Sequence, residues 1–140
     1  MKNLKFCVLI GLILFFLSCR SAPNNDQTTV IPKSTIIGRY VTDHKALLRP
    51  TFITGVNSYL RRYSPRLITE SENYVKMTAK YNYDLDIELI VHEGEYEIVV
   101  TVAQDRYNID RAQSSCVHVA NGVHRTLTNN LAREIRNIGD

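Results

Sequence analysis

Between residues 75 and 102 apolar and polar positions alternate with a period of two, the spacing of strands that bury one face. Val75, Met77, Ala79, Tyr81, Tyr83, Leu85, Ile87, Leu89 and Val91 hold odd positions, with mostly polar residues between them. After Glu93-Gly94 the phase passes to the even positions Tyr96, Ile98, Val100 and Val102. A two-residue turn requires that change, because the residues flanking it lie three apart and face the same side. The hairpin so predicted pairs Val91 with Tyr96, Leu89 with Ile98, Ile87 with Val100 and Leu85 with Val102. A reversal at residues 82–84 would divide the segment 74–91 into two strands, setting Lys80 opposite Asp86 and Lys76 diagonal to Glu88. Residues 35–41 add a further strand.

Two stretches switch to helical spacing. In residues 50–63, Phe52, Val56, Tyr59, Leu60 and Tyr63 share a face, and Pro50 suits a first helical turn. In residues 109–138, Ala112, Cys116, Ala120, Val123, Leu127, Leu131 and Ile135 keep one phase. Asn121-Gly122 interrupts the residue chemistry but not that phase, so one long helix with a weak point is expected. The order β-α-β-β-β-α predicts an α+β fold. Its form is a two-layer sandwich, with an antiparallel sheet of about four strands and two helices on one face.

The amino terminus follows neither period. Lys2 and Lys5 precede an apolar run at residues 6–17, and Ser18-Cys19 closes it. At about 1.5 Å per residue that run reaches roughly 18 Å, short of a hydrocarbon core of about 30 Å. A positive end, a short apolar centre and a small residue describe a secretory signal better than a permanent span. Phe16-Leu17-Ser18-Cys19 resembles the lipobox of bacterial lipoproteins, with Phe16 at the position where that pattern prefers leucine. The resemblance implies a signal peptide over residues 1–18 and cleavage between Ser18 and Cys19. It also implies diacylglycerol on the Cys19 sulfur and, commonly, an acyl chain on the new amino group. Two or three acyl chains hold a protein on a bilayer where one does not. Residues 19–33, polar and containing Pro23 and Pro32, read as the lipidated terminus and its flexible tether, leaving 34–140 as one domain.

That processing alters the charge. The chain of 140 residues carries 17 Lys and Arg against 14 Asp and Glu, a formal net charge of +3. Removing Lys2 and Lys5 leaves 17 − 2 = 15 basic groups against the same 14 acids, a net charge of about +1. A nucleic-acid partner, which the pI of 8.8 would otherwise suggest, loses its basis. Of three cysteines, Cys7 lies in the signal and Cys19 takes lipid, so Cys116 has no partner for a disulfide.

Candidate chemistry is sparse. Cys116 sits in the apolar phase of the last helix, where a free thiol acts as a small hydrophobe rather than a nucleophile. His118 and His124, six apart, point roughly 240° around a helix and cannot share a metal; His44 and His92 have no second ligand at recognised spacing. Asp84, Asp86, Glu88, Glu95 and Glu97 fall on the polar side of the hairpin. A solvated face explains them better than acid–base catalysis or calcium binding. No phosphate-cradling glycine loop, zinc motif or serine elbow occurs, and no metal, cofactor or catalytic residue is expected.

Arg111, His118, Arg125, Arg133 and Arg136 lie toward the polar side of the last helix, and Arg61, Arg62 and Arg66 cluster where the first one ends. Complementing helix dipoles is their plainer explanation; contact with anionic lipid headgroups or lipopolysaccharide is the sharper one. The predicted topology and lipid anchor also resemble, over residues 35–138, the lipopolysaccharide-assembly lipoproteins, whose members plug and chaperone an outer-membrane β-barrel. The expectation is a lipid-anchored binding or assembly module of the bacterial cell membrane or outer membrane. Its partner would be an envelope protein or an anionic glycolipid, and it would perform no catalysis. The alternative is a small envelope hydrolase, which would show convergent polar side chains in its largest pocket.

Overall fold

A computed structural model of the chain describes residues 30–139. The expected signal, the cleavage site at Ser18 and Cys19 and most of the tether lie outside these residues. The domain is α+β, built on a five-stranded antiparallel sheet with two helices. Its elements are β1 (Lys33–Arg39), α1 (Lys45–Tyr59), β2 (Arg66–Ser71), β3 (Tyr74–Tyr81), β4 (Tyr83–Val91), β5 (Glu95–Val102) and α2 (Ile109–Gly139). The strands lie in the order β1-β5-β4-β3-β2.

The β4–β5 hairpin has the predicted register, with Leu85, Ile87, Leu89 and Val91 opposite Val102, Val100, Ile98 and Tyr96. Gly94 supplies the positive φ, 76°, that the turn needs. Those residues, with Val75, Met77 and Ala79 of β3, form the sheet's contribution to a single core. Leu48, Phe52 and Val56 of α1 and Ala112, Cys116, Val119, Ala120, Val123 and Leu127 of α2 complete it, so both helices draw on the same sheet face.

Four expectations need correction. The sheet has five strands rather than about four, because β2 was not foreseen: all six of its residues are exposed, and a bulge between Leu67 and Thr69 breaks any alternation. Segment 74–91 is two strands, but it reverses at Asn82, whose φ is 50°. Asparagine tolerates that left-handed backbone. Lys80 therefore faces Asp84, and Lys76 faces Glu88 directly. A slip of two residues keeps every side chain on its own face, so hydrophobic parity could not reveal it.

The first helix starts at Lys45, and Pro50 lies inside it. Proline there forfeits one bond, to the Ala46 carbonyl, and a 3-10 turn at Thr42–His44 leads into the helix. At its other end α1 tightens into a second 3-10 turn, Arg61–Tyr63, and Ser64 at φ 50° stops it. Finally, β1 begins at Lys33, within the expected tether, and Pro32 is already buried. The Pro32 carbonyl accepts bonds from the Val102 amide at 3.3 Å and the Cys116 thiol at 3.5 Å.

Candidate functional site

The long helix α2 exposes Arg111, Arg125, Arg133 and Arg136. At about 100° per residue, Arg111, His118, Arg125 and Arg136 fall within roughly 40° of one another, with Arg133 about 40° beyond Arg111. They form one row along the helix. The Asn108 side chain caps the start of that row, accepting from the Arg111 amide at 3.0 Å.

Ion pairs engage some of the domain's cations and not others, and Lys33, Arg66, Lys80 and Arg106 share with most of these arginines the lack of one among the described residues. On the outer sheet face Lys76 donates to Asp86 at 2.7 Å and lies 3.7 Å from Glu88. Arg39 stands 3.4 Å from Glu95, and His92 lies 3.0 Å from Glu97. The acidic face expected from the hairpin thus carries its own cations. By contrast Arg61, Arg62, Arg111, Arg125 and Arg136 form no ion pair among the described residues, and Arg133 has a single distant partner, Glu134 at 4.0 Å. Uncompensated charge on the helices is therefore mainly positive.

Small residues let the helices approach closely near their midpoints. A Cβ on Gly55 would lie 3.5 Å from Thr126 Cγ2, an ordinary contact. A Cβ on Gly122 would lie 2.0 Å from Tyr59 Cζ, so only glycine admits that ring against α2. The expected weak point of the helix is a seat for Tyr59. A glycine in a helix interior costs about 1 kcal/mol relative to alanine, which this packing must offset.

Around Tyr59 other rings assemble. Tyr63 meets Tyr81 edge to face at 4.8 Å between centroids, and Tyr81 stacks on His118 at 5.7 Å. Tyr59 lines a hollow of about 390 Å³ together with His118, Asn121, Gly122, His124 and Arg125. It also lines a second, of about 340 Å³, with Ser58, Arg61, Arg62 and Tyr63. Neither lining contains a carboxylate. The Tyr59 phenol is pushed above its usual range, first by burial and then by the neighbouring Tyr81, with Arg125 pulling the other way. Its hydroxyl has no hydrogen-bond partner among the described residues.

Of the expected contact residues this groove takes Arg125, while Arg111, Arg133 and Arg136 lie along the same helix outside it. Tyr59, Tyr63 and Tyr81 were legible only as apolar-phase positions of a helix and a strand, and no spacing in the chain signals that they converge. His118 and His124 line one hollow despite their angular separation. No group of three or more His, Cys, Asp or Glu side chains among the described residues could hold a metal ion.

A third depression, also about 390 Å³, is lined by Ser64, Arg66, Thr78, Lys80 and Asp84 among others. Polar groups converge there as a hydrolase would require. However, no hydrogen bond joins Ser64 to a base among the described residues, and Ser64, Arg66, Lys80 and Asp84 are exposed. Cys116 is fully buried, and burial raises its thiol above the usual value, so the reactive thiolate is disfavoured. No described helix is long and apolar enough to cross a membrane. Neither a protein-family model nor a curated protein matches the chain. The fold and groove thus define an α+β domain with a basic, aromatic helix layer.

Proposed function

We propose that the protein is a bacterial lipoprotein, tethered through Cys19 to the cell membrane or outer membrane. Its folded domain acts as a binding or assembly module on anionic envelope components. It serves an envelope protein or an anionic glycolipid, and neither a nucleic acid nor a reaction. The observation that carries this reading is the row of arginines on α2, in which only Arg133 has an ion-pair partner among the described residues, Glu134 at 4.0 Å. An anionic surface is worth about 1 kcal/mol per nearby Lys or Arg, within a screening length of roughly 8 Å at physiological salt. Four arginines therefore supply a few kcal/mol, enough to orient a domain already held by lipid but not to anchor a free one.

The test uses the chain lacking residues 1–19 and vesicles of anionic or zwitterionic lipid. Weak retention on anionic vesicles, lost as salt rises, is expected. Replacing Arg111, Arg125, Arg133 and Arg136 by Gln removes that retention with little change in melting temperature, since all four are exposed. Equal retention of both proteins at low and high salt would return the arginines to plain solvation.

A further inference from the structure

We propose that the groove between α1 and α2 is a recognition site for a phosphate monoester. Arg125 would meet its charge and the Tyr59 hydroxyl would donate a directed hydrogen bond, with Arg61 and Arg62 lining an adjoining hollow that shares Tyr59. The proposal deepens the anionic-surface reading, on which it rests through Arg125, by naming a headgroup chemistry, and it adds the hollows beside Tyr59.

Three features converge on it. Both hollows beside Tyr59 are lined by groups that can donate hydrogen bonds, and neither contains a carboxylate that would repel an anion. Arg61, Arg62 and Arg125 have no ion pair among the described residues, so their guanidinium groups are available to a ligand beside Tyr59. The Tyr59 ring is held against Gly122, where any Cβ would displace it, yet its hydroxyl has no hydrogen-bond partner among the described residues. A phenol kept neutral retains its proton for donation, and guanidinium groups pair with phosphate oxygens in two-pronged fashion. The Tyr63–Tyr81–His118 ring stack lends the flank of this groove rigidity. A carboxylate ligand would satisfy fewer of these donors, since it offers two oxygens where a terminal phosphate offers three.

The phosphate could belong to a lipid headgroup or to a soluble ester, and the experiment separates them. Full-length protein in a non-ionic detergent is titrated calorimetrically with glycerol phosphate. It is then mixed with micelles containing either phosphatidic acid or phosphatidylglycerol at equal total charge. Saturable binding of glycerol phosphate, or a preference for phosphatidic acid over phosphatidylglycerol, is expected; the second result without the first assigns the site to lipid. Arg125→Gln is expected to weaken binding roughly tenfold and Tyr59→Phe roughly threefold, as for loss of charge-assisted and neutral hydrogen bonds. Tyr59→Phe keeps the ring in its seat, so its effect is not one of folding. Arg136→Gln, on the same helix but outside the groove, stays within about twofold.

The site is overturned if glycerol phosphate does not bind saturably and the two lipids bind equally. It is also overturned if Tyr59→Phe and Arg125→Gln bind as wild type does. Failure of the membrane reading would leave the soluble titration intact. Failure of the groove would leave salt-sensitive binding to anionic vesicles of any headgroup.

Discussion

Gly55 and Gly122 lie in the same helix–helix contact, yet alanine at the two positions should have opposite effects. At Gly122 the added Cβ would sit 2.0 Å from Tyr59 Cζ and 2.2 Å from its hydroxyl oxygen, so the ring must leave. Alanine gains about 1 kcal/mol in helix propensity over glycine. Overpacking costs about 1–3 kcal/mol, and the half-buried ring has hollows beside it into which it can shift. The net is a destabilisation of about 1 kcal/mol.

At Gly55 the nearest atom is 3.5 Å away, so the methyl fits without displacement. Propensity and burial of one carbon then act together, and Gly55→Ala stabilises by about 1 kcal/mol. In a domain of this size each kcal/mol moves the melting temperature by about 4 °C, which circular dichroism resolves easily. A cycle isolates the cause. In a Tyr59→Ala background the clash is gone, so Gly122→Ala should change sign and stabilise by about 1 kcal/mol. A Gly122→Ala protein that melts at or above wild type, or a Tyr59→Ala background that fails to reverse the sign, would refute this reasoning.

Two further outcomes follow from buried groups. Cys116→Ser should cost about 1–3 kcal/mol in urea unfolding, because the hydroxyl is poorly placed for the Pro32 carbonyl, and should leave vesicle binding intact. Unchanged stability together with lost binding would instead make the thiol chemical. Stability should also fall on the alkaline side. Burial raises Cys116 above 9.0 and Tyr96 above 10.0, and a side-chain bond to Asp86 is the leading cause that raises Lys76 above 10.5. A group whose folded pKa is raised contributes fully below its unfolded pKa and loses that contribution as pH climbs through the folded value. Unfolding followed from pH 8 upward should therefore steepen from about pH 9, and Tyr96→Phe should flatten the part above pH 10. A flat profile for wild type, or no change in Tyr96→Phe, contradicts those assignments.

The central hairpin and the long helix were legible because each buries a full face, which stamps a period on the sequence. Leu85 to Val102 alternate because one side meets helices and the other meets water, and the phase change at Glu93-Gly94 locates the turn. By the same logic β2 was invisible: a strand exposed on both faces, carrying a bulge at Leu67–Thr69, has no period to read. Pro50 misled in another way. Its preference for a first turn is local, whereas α1 begins early enough to bury Leu48, two residues before Pro50, in the core. The candidate groove was only partly visible. Arg61, Arg62, Arg125 and His118 stood out as charged or polar, but Tyr59 and Tyr81 reach the same place from different elements. Convergence of that kind is a property of tertiary packing. Likewise Gly122 read as a flaw until the ring it accommodates was in view.

The lipid anchor is the claim on which the proposed function turns, and mass spectrometry of the protein extracted from bacterial membranes tests it most directly. The amino-terminal peptide is expected to begin at Cys19 and to carry diacylglycerol, with or without an amide-linked acyl chain. A Cys19→Ala protein is expected to accumulate as an unlipidated precursor retaining residues 1–18. An unmodified Cys19 in the mature protein, or palmitate incorporated into Cys19→Ala as well as into wild type, would contradict it.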